Sequence, residues 1–195
     1  MIPRGKIKDK RKAILDSSLE LIALQGFHGT SMKQIADNAK VAAGTIYVYF
    51  EKKDELIHQL FIEIRKELND VIFGGFDFSI DFKQNFMSLW NDVLDYYLEN
   101  PLKYNFLEQF SNSPFINDII IEEGTQALAP AYSLFRDAQK EGILKMLPIS
   151  ALIALTHGPI IALVKMNNIG EIDINNKIDK VQFAEASWLS ISNEK

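Results

Sequence analysis

Between Thr30 and Leu56 the chain reads TSMKQIADNAKVAAGTIYVYFEKKDEL. The spacing predicts two short helices joined by a tight turn, then an aromatic-rich end and the start of another helix. Ser31, with Gln34 three residues on, forms a capping-box pattern that starts the first of them. Ile35, Ala36 and Ala39 make its inward side. A turn around Lys40 and Val41 leads into the second helix, about Ala43 to Tyr49. The next begins near Lys52, where Asp54 and Glu55 complement the helix dipole. Small residues at Ala39, Ala42, Ala43 and Gly44 permit close approach of backbones. This is the layout of a helix-turn-helix that lays its second helix in a DNA major groove.

A net charge of −5 over 195 residues argues by itself against a nucleic-acid partner, but the average hides an asymmetry. Residues 1–53 carry ten Lys/Arg against five Asp/Glu, a net of +5, and residues 54–195 carry eleven against twenty-one, a net of −10. A basic head on an acidic body fits a chain that brings one end to phosphates. The alternative is a solvated basic tail made by Lys6, Lys8, Lys10, Arg11 and Lys12. There is no cysteine, which excludes disulfides, thiolate nucleophiles and cysteine-based metal sites. Met1 to Lys12 is too charged for the apolar core of a signal peptide. The apolar run from Ser150 to Val164 contains His157 and Pro159 and is read as too short to span a bilayer. The expectation is a soluble, cytoplasmic protein without membrane association.

Apolar residues recur at helical spacing along the whole chain, with no sustained alternation of period two. A first helix from about Lys8 to Leu24 stops at Gly26. The helix starting near Lys52 runs through Leu56, Leu60, Ile64 and Leu68 to Gly74-Gly75. The loop from Gly74 to Ser79 separates head from body. In the body, Phe82, Phe86, Leu89, Trp90, Val93 and Tyr97 form one stripe. Asn100-Pro101 and Ser113-Pro114 mark two further starts. Gly142 closes the segment from Pro114, with Pro130 as a kink or break. Pro148 opens an apolar helix to about Met166, and a last helix runs from about Asn176 to Ile191. The expected fold is all-α with about nine helices: a head of residues 1–53, a connecting helix 54–73, and a helical body 75–195.

The chemistry on offer suits phosphate. Thr45, Tyr47 and Tyr49 supply hydroxyls, and Lys52 and Lys53 stand just beyond. Phe50 reads as a packing residue, whereas the Tyr47 phenol can reach outward. Lys33 reads equally as a phosphate contact or a solvated lysine. His28, His58 and His157 are too scattered for a metal triad, and no metal or cofactor is expected. Asp92, Asp95 and Glu122-Glu123 read as solvated faces. No GxSxG, Walker-A or GxGxxG pattern occurs, so acyl-transfer and nucleotide chemistry lack support.

Ile14, Gly26, Phe27, Thr30, Ile35, Ala36, Ala39, Val41, Gly44, Thr45, Ile46, Tyr47, Tyr49, Phe50, Lys53 and Leu56 together resemble the DNA-binding domain of the tetracycline-repressor (TetR) family of bacterial transcriptional regulators. The likeness is close over residues 10–57 and architectural beyond. It implies that helices one to three bind DNA, that the last two helices pair in a four-helix dimer interface, and that a pocket in the body takes a small-molecule effector. Carried over, Thr45 and Tyr47 become recognition-helix contacts, and Thr30 or Ser31 and Lys53 phosphate contacts. Lys33, Lys40, Ala43, Gly44 and Tyr49 complete the expected DNA-binding set. Two positions depart from the family pattern: Lys40 stands where a turn glycine is usual, and Ala42 where a serine cap is usual. A lost cap costs about 1 kcal/mol, and a non-glycine in a left-handed turn a comparable amount. Lys40 could offer a phosphate contact of its own.

For the body, Phe86, Trp90, Tyr97, Tyr104, Phe110, Tyr132 and Phe135 are the expected lining of an apolar effector pocket, against a plain reading as core. The apolar stretches Ile149–Val164 and Val181–Ile191 predict a homodimer seam with His157, Ile161, Ala184 and Trp188. The expected function is a dimeric transcriptional regulator, most simply a repressor on a palindromic operator, released by a small molecule. Two alternatives stand beside it: a DNA-binding dimer controlled by a partner protein, and a helical enzyme or carrier that makes no use of its head.

Overall fold

The computed structural model describes residues 4–111, 113, 129–174 and 180–194, the first five by their backbone alone. The helix starts expected at Pro114 and Asn176, and Glu122-Glu123, lie outside the described residues. Among those described, nine helices occur: α1 Arg4–Gly29, α2 Met32–Asn38, α3 Ala43–Tyr49, α4 Lys53–Gly74, α5 Phe82–Glu99, α6 Pro101–Ser111, α7 Ala129–Lys140, α8 Ile149–Asn168 and α9 Lys180–Ile191. The all-helical expectation holds. The chain forms two compact units, and their boundary falls within α4, between Lys66 and Glu67. The first unit takes α1 to α3, the start of α4, and α6. The second takes the end of α4, α5, α7, α8 and α9.

In the first unit, α1 runs to Gln25 and is broken by Gly26 at φ 79°, after which one further turn reaches Gly29. Ile14, Leu15, Ile22 and Phe27 of α1 share one core with Ile35, Ala36, Ile46, Phe50, Leu56, Ile57, Leu60 and Ile64. Two rings of α6 complete it. Phe106 meets Phe27 edge-on with centroids 5.7 Å apart, and Phe110 stacks on Phe61 at 4.3 Å. The Gln109 amide donates to Ala23 O. Phe110 therefore belongs to the head core and not to an effector pocket of the body, and Tyr104, buried, lies in the same unit. Helical spacing tells which side of α6 is buried; it carries no record of what buries it.

α2 ends in a Schellman turn. Val41 N–H donates to Ala36 O at 2.9 Å, Lys40 N–H to Asp37 O at 3.2 Å, and Lys40 sits at φ 55°. The left-handed conformation expected there is thus kept by a lysine. α7 and α8 close with the same hydrogen-bond pattern, but with Gly142 and Gly170, both at φ 76°, in that place. Lys40→Gly should therefore raise stability by about 0.5–1 kcal/mol, the relieved strain less the backbone entropy of glycine. A thermal melt checks this: the midpoint should rise by about 2–4 °C per kcal/mol in a chain of this size.

In the second unit Phe86, Trp90, Val93, Leu94 and Tyr97 form the buried stripe of α5. They pack among Leu152, Thr156, Ile160, Leu163 and Val164 of α8 and Ala184, Trp188 and Ile191 of α9. Trp188 is 1% exposed, with Phe86 5.4 Å and Phe82 6.2 Å from it by ring centroids. Its indole N–H donates to Glu194, which also pairs with Lys83. Ala184 and Trp188 consequently face into their own protomer and cannot form a seam with a second copy. α8, 20 residues long, is longer than expected and is apolar enough to cross a membrane by length and composition. Its inward side nevertheless packs on α5 and α9.

Candidate nucleic-acid interface

α3 divides cleanly into two sides. Ile46 and Phe50, one turn apart, are each 1% exposed and anchor the helix in the head core. Ala43, Gly44, Tyr47 and Val48 point away, with Tyr47 57% and Val48 78% exposed. Thr45 and Tyr49 are half-buried at the edges. A Cβ on Gly44 would meet nothing within 4 Å, so the missing side chain there serves no packing inside the protomer. It leaves room for a backbone from outside.

α2 braces α3 from behind. The buried Ser17 hydroxyl of α1 donates to Ile35 O at 3.1 Å, and the Asn38 amide donates to Glu20. Ser31 caps α2 as its spacing predicts: its hydroxyl accepts from Gln34 N–H at 3.2 Å, while Gln34 Oε1 accepts from Ser31 N–H at 2.8 Å. Ala42 caps α3 with extended backbone and no side-chain hydrogen bond, as the alanine dictates. Lys33 and Lys40 are exposed.

Two expected contacts are already engaged inside the chain. Thr30 is 2% exposed and its hydroxyl donates to Gly26 O at 2.9 Å. It closes the turn after the α1 break and presents no free hydroxyl. Lys53 turns inward, its ammonium donating to Phe27 O. Burial lowers the Lys53 pKa from its ordinary value, with the Asp54 carboxylate acting the other way. Lys52, one residue earlier, is the exposed lysine at this end. Val48 was missed: its position, four residues after Gly44 and next to Tyr47, already places it on the outward side. An exposed valine suits the methyl group of thymine.

Elsewhere, Phe86, Trp90 and Tyr97 are buried, and Tyr132 and Phe135 half-buried. The Trp90 indole donates to Thr156 O at 3.0 Å, and the Tyr97 hydroxyl lies 3.1 Å from His157 Nε2. His157 and Ile161 are half-buried on α8. The large apolar side chains of α8 and α9 that face outward are Leu155, Met166, Val181 and Leu189, between 37% and 58% exposed. No group of three or more acidic or histidine side chains with metal-binding spacing occurs among the described residues.

A three-helix head whose third helix leaves one side bare has clear relatives. Residues 14–60 match the family described as bacterial regulatory proteins, tetR family. Residues 81–192 match a tetracyclin repressor-like C-terminal domain. An uncharacterized HTH-type transcriptional regulator of Haemophilus influenzae is 29% identical over 184 residues, covering 94% of this chain and 96% of that protein. The crystal structure of a TetR family transcription regulator from Marinobacter aquaeolei VT8 shares the fold with a TM-score of 0.91 at 22% identity, covering 98% of this chain and 100% of that one. A TetR-family transcriptional regulator from Haemophilus influenzae Rd gives a TM-score of 0.78 at 26% identity, with 98% and 100% covered. With both parts of the chain matched, the protein belongs to the TetR family of helix-turn-helix transcriptional regulators.

Proposed function

We propose that this regulator is a homodimeric, cytoplasmic repressor that binds a palindromic operator and is released by a small-molecule effector. The observation that carries the reading is the outward side of α3, where Gly44, Tyr47 and Val48 stand free of the protomer while Ile46 and Phe50 hold the helix from behind. In a two-fold dimer, two such helices enter successive major grooves one turn of DNA apart. Ser31, Lys33, Lys40, Ala43, Thr45, Tyr49 and Lys52 supply the surrounding hydroxyls, cations and close backbone approach. A mobility-shift assay against DNA from upstream of its own gene tests the reading. Binding should appear and should weaken steeply as salt rises, because most of the affinity comes from displaced counterions. Insensitivity to salt would refute it.

The seam of the dimer is assigned to the outward residues of α8 and α9, with Leu189 and Val181 in place of Ala184 and Trp188. Leu189→Glu would set two like charges into an apolar contact. It should give a monomer in sedimentation and at least a tenfold loss of operator affinity, since each half-site is then bound alone. A persistent dimer would move the seam elsewhere. For the effector, Phe86, Trp90, Tyr97, Tyr132, Phe135 and His157 of the body supply the apolar surface and few polar tips that suit an apolar molecule with one hydrogen-bonding end. The effector acts by preferring the dimer form whose reading helices no longer match the operator spacing. Control by a partner protein is the second reading. It is favoured by the fact that Trp90 and Tyr97 already spend their polar tips on Thr156 O and His157.

A further inference from the structure

We propose that Arg11 is a positioning residue for DNA recognition, seating α3 against α4 rather than gripping DNA itself. The proposal rests on the operator-binding reading above. Arg11 lies in the basic start of α1, beside Lys10 and Lys12, where phosphate contact is the role its neighbours suggest. Its side chain turns the other way. Nη1 pairs with Glu63, and Nη2 donates to Gln59 Oε1 at 3.3 Å, both on α4. The guanidinium carbon stands 5.6 Å from the centroid of the Phe50 ring. Phe50 is the C-cap residue of α3, and its N–H donates to Ile46 O. Lys12, next in sequence, pairs along its own helix with Asp16 and remains exposed.

One planar group thus contacts two turns of α4 through its nitrogens and stands over the ring at the end of α3. Arginine suits this because its in-plane N–H fork can serve two acceptors while its π face covers a ring. Lysine keeps the charge but lacks the planar fork, so it cannot serve both acceptors and cover the ring at once. α3 has only seven residues, so its angle in a groove depends on what its ends rest on. Arg11 closes over the Phe50 end from the solvent side, at 38% side-chain exposure.

The test measures operator affinity of the full-length protein by fluorescence anisotropy, over a range of salt, where circular dichroism shows every variant fully folded. Arg11→Lys and Glu63→Gln should each weaken binding at least about tenfold, since each of the two subunits loses a stacked, forked guanidinium contact. The log–log salt slope should stay that of the wild type. The double variant should bind no worse than the weaker single, because both break one contact. A phosphate-gripping Arg11 predicts the opposite: near-normal binding by Arg11→Lys, tighter binding by Glu63→Gln, and a slope shallower by about two in Arg11→Ala, one per subunit. A purely structural role lowers the melting temperature and leaves the affinity of the folded protein unchanged. Either pattern overturns the proposal. Absence of any wild-type binding overturns the operator reading and this proposal with it, and the wild-type control tells that case apart.

Discussion

Phe50→Ala should lower the stability of the protein by about 3–5 kcal/mol, the usual cost of emptying a buried phenylalanine site. The ring is 1% exposed and shares its core with Ile46, Leu56 and Ile57. It also lies under the Arg11 guanidinium. Truncation therefore removes apolar contacts on three sides and leaves Arg11 without the surface it covers. The neighbours cannot collapse into the gap easily, because Ile46 and Leu56 belong to two different helices, α3 ending and α4 starting on either side of it. In urea, with a slope of about 2–3 kcal/mol per molar, the midpoint should fall by about 1–2.5 M. The measurement is made at one fixed protein concentration, since a dimer's stability depends on it. A midpoint unchanged from wild type would mean that Phe50 is not the anchor of α3. Phe110→Ala should show a similar loss, and that result bears on the reassignment of α6 to the head.

The parts of this molecule that could be read from sequence are those whose cause lies within a few residues. Ser31 and Gln34 satisfy each other across one helical turn, so their capping box is visible in the string of letters. Lys40 at φ 55° and the bare cap at Ala42 follow from a turn that needs a left-handed residue and has no glycine or serine to offer. Ile46 in and Tyr47 out follow from helical spacing. What stayed hidden are choices between distant partners. Lys53 looks free in sequence because nothing near it binds it, yet its ammonium reaches Phe27 O across the head. Thr30 bonds only four residues back, to Gly26 O, but that bond depends on the break in α1. α9 is apolar on two sides, Ala184, Trp188 and Ile191 inward and Val181 and Leu189 outward, so hydrophobicity could not tell which side meets its own protomer. Arg11 reads in sequence as one more charge of the basic head, since only the fold places Glu63 and Phe50 beside it.

Tyr47→Ala should weaken operator binding by about 10²–10⁴ while leaving the fold intact. The side chain is 57% exposed and lies outside the head core, so its loss should change stability by no more than about 0.5 kcal/mol. A phenol hydrogen-bonded to a phosphate contributes about 1.5–3 kcal/mol, because the acceptor is charged. The dimer presents two copies to two half-sites, which doubles the cost to about 3–6 kcal/mol and gives the stated range in affinity. Tyr47→Phe separates the hydroxyl from the ring. If the hydroxyl grips a phosphate, this variant loses nearly as much as Tyr47→Ala, and it does so evenly across specific and unrelated DNA. If the ring instead packs on bases, Tyr47→Phe retains wild-type affinity and Tyr47→Ala loses specificity for the operator. Normal binding by Tyr47→Ala would remove α3 from the groove altogether, since no other side chain on its outward face reaches as far from the helix.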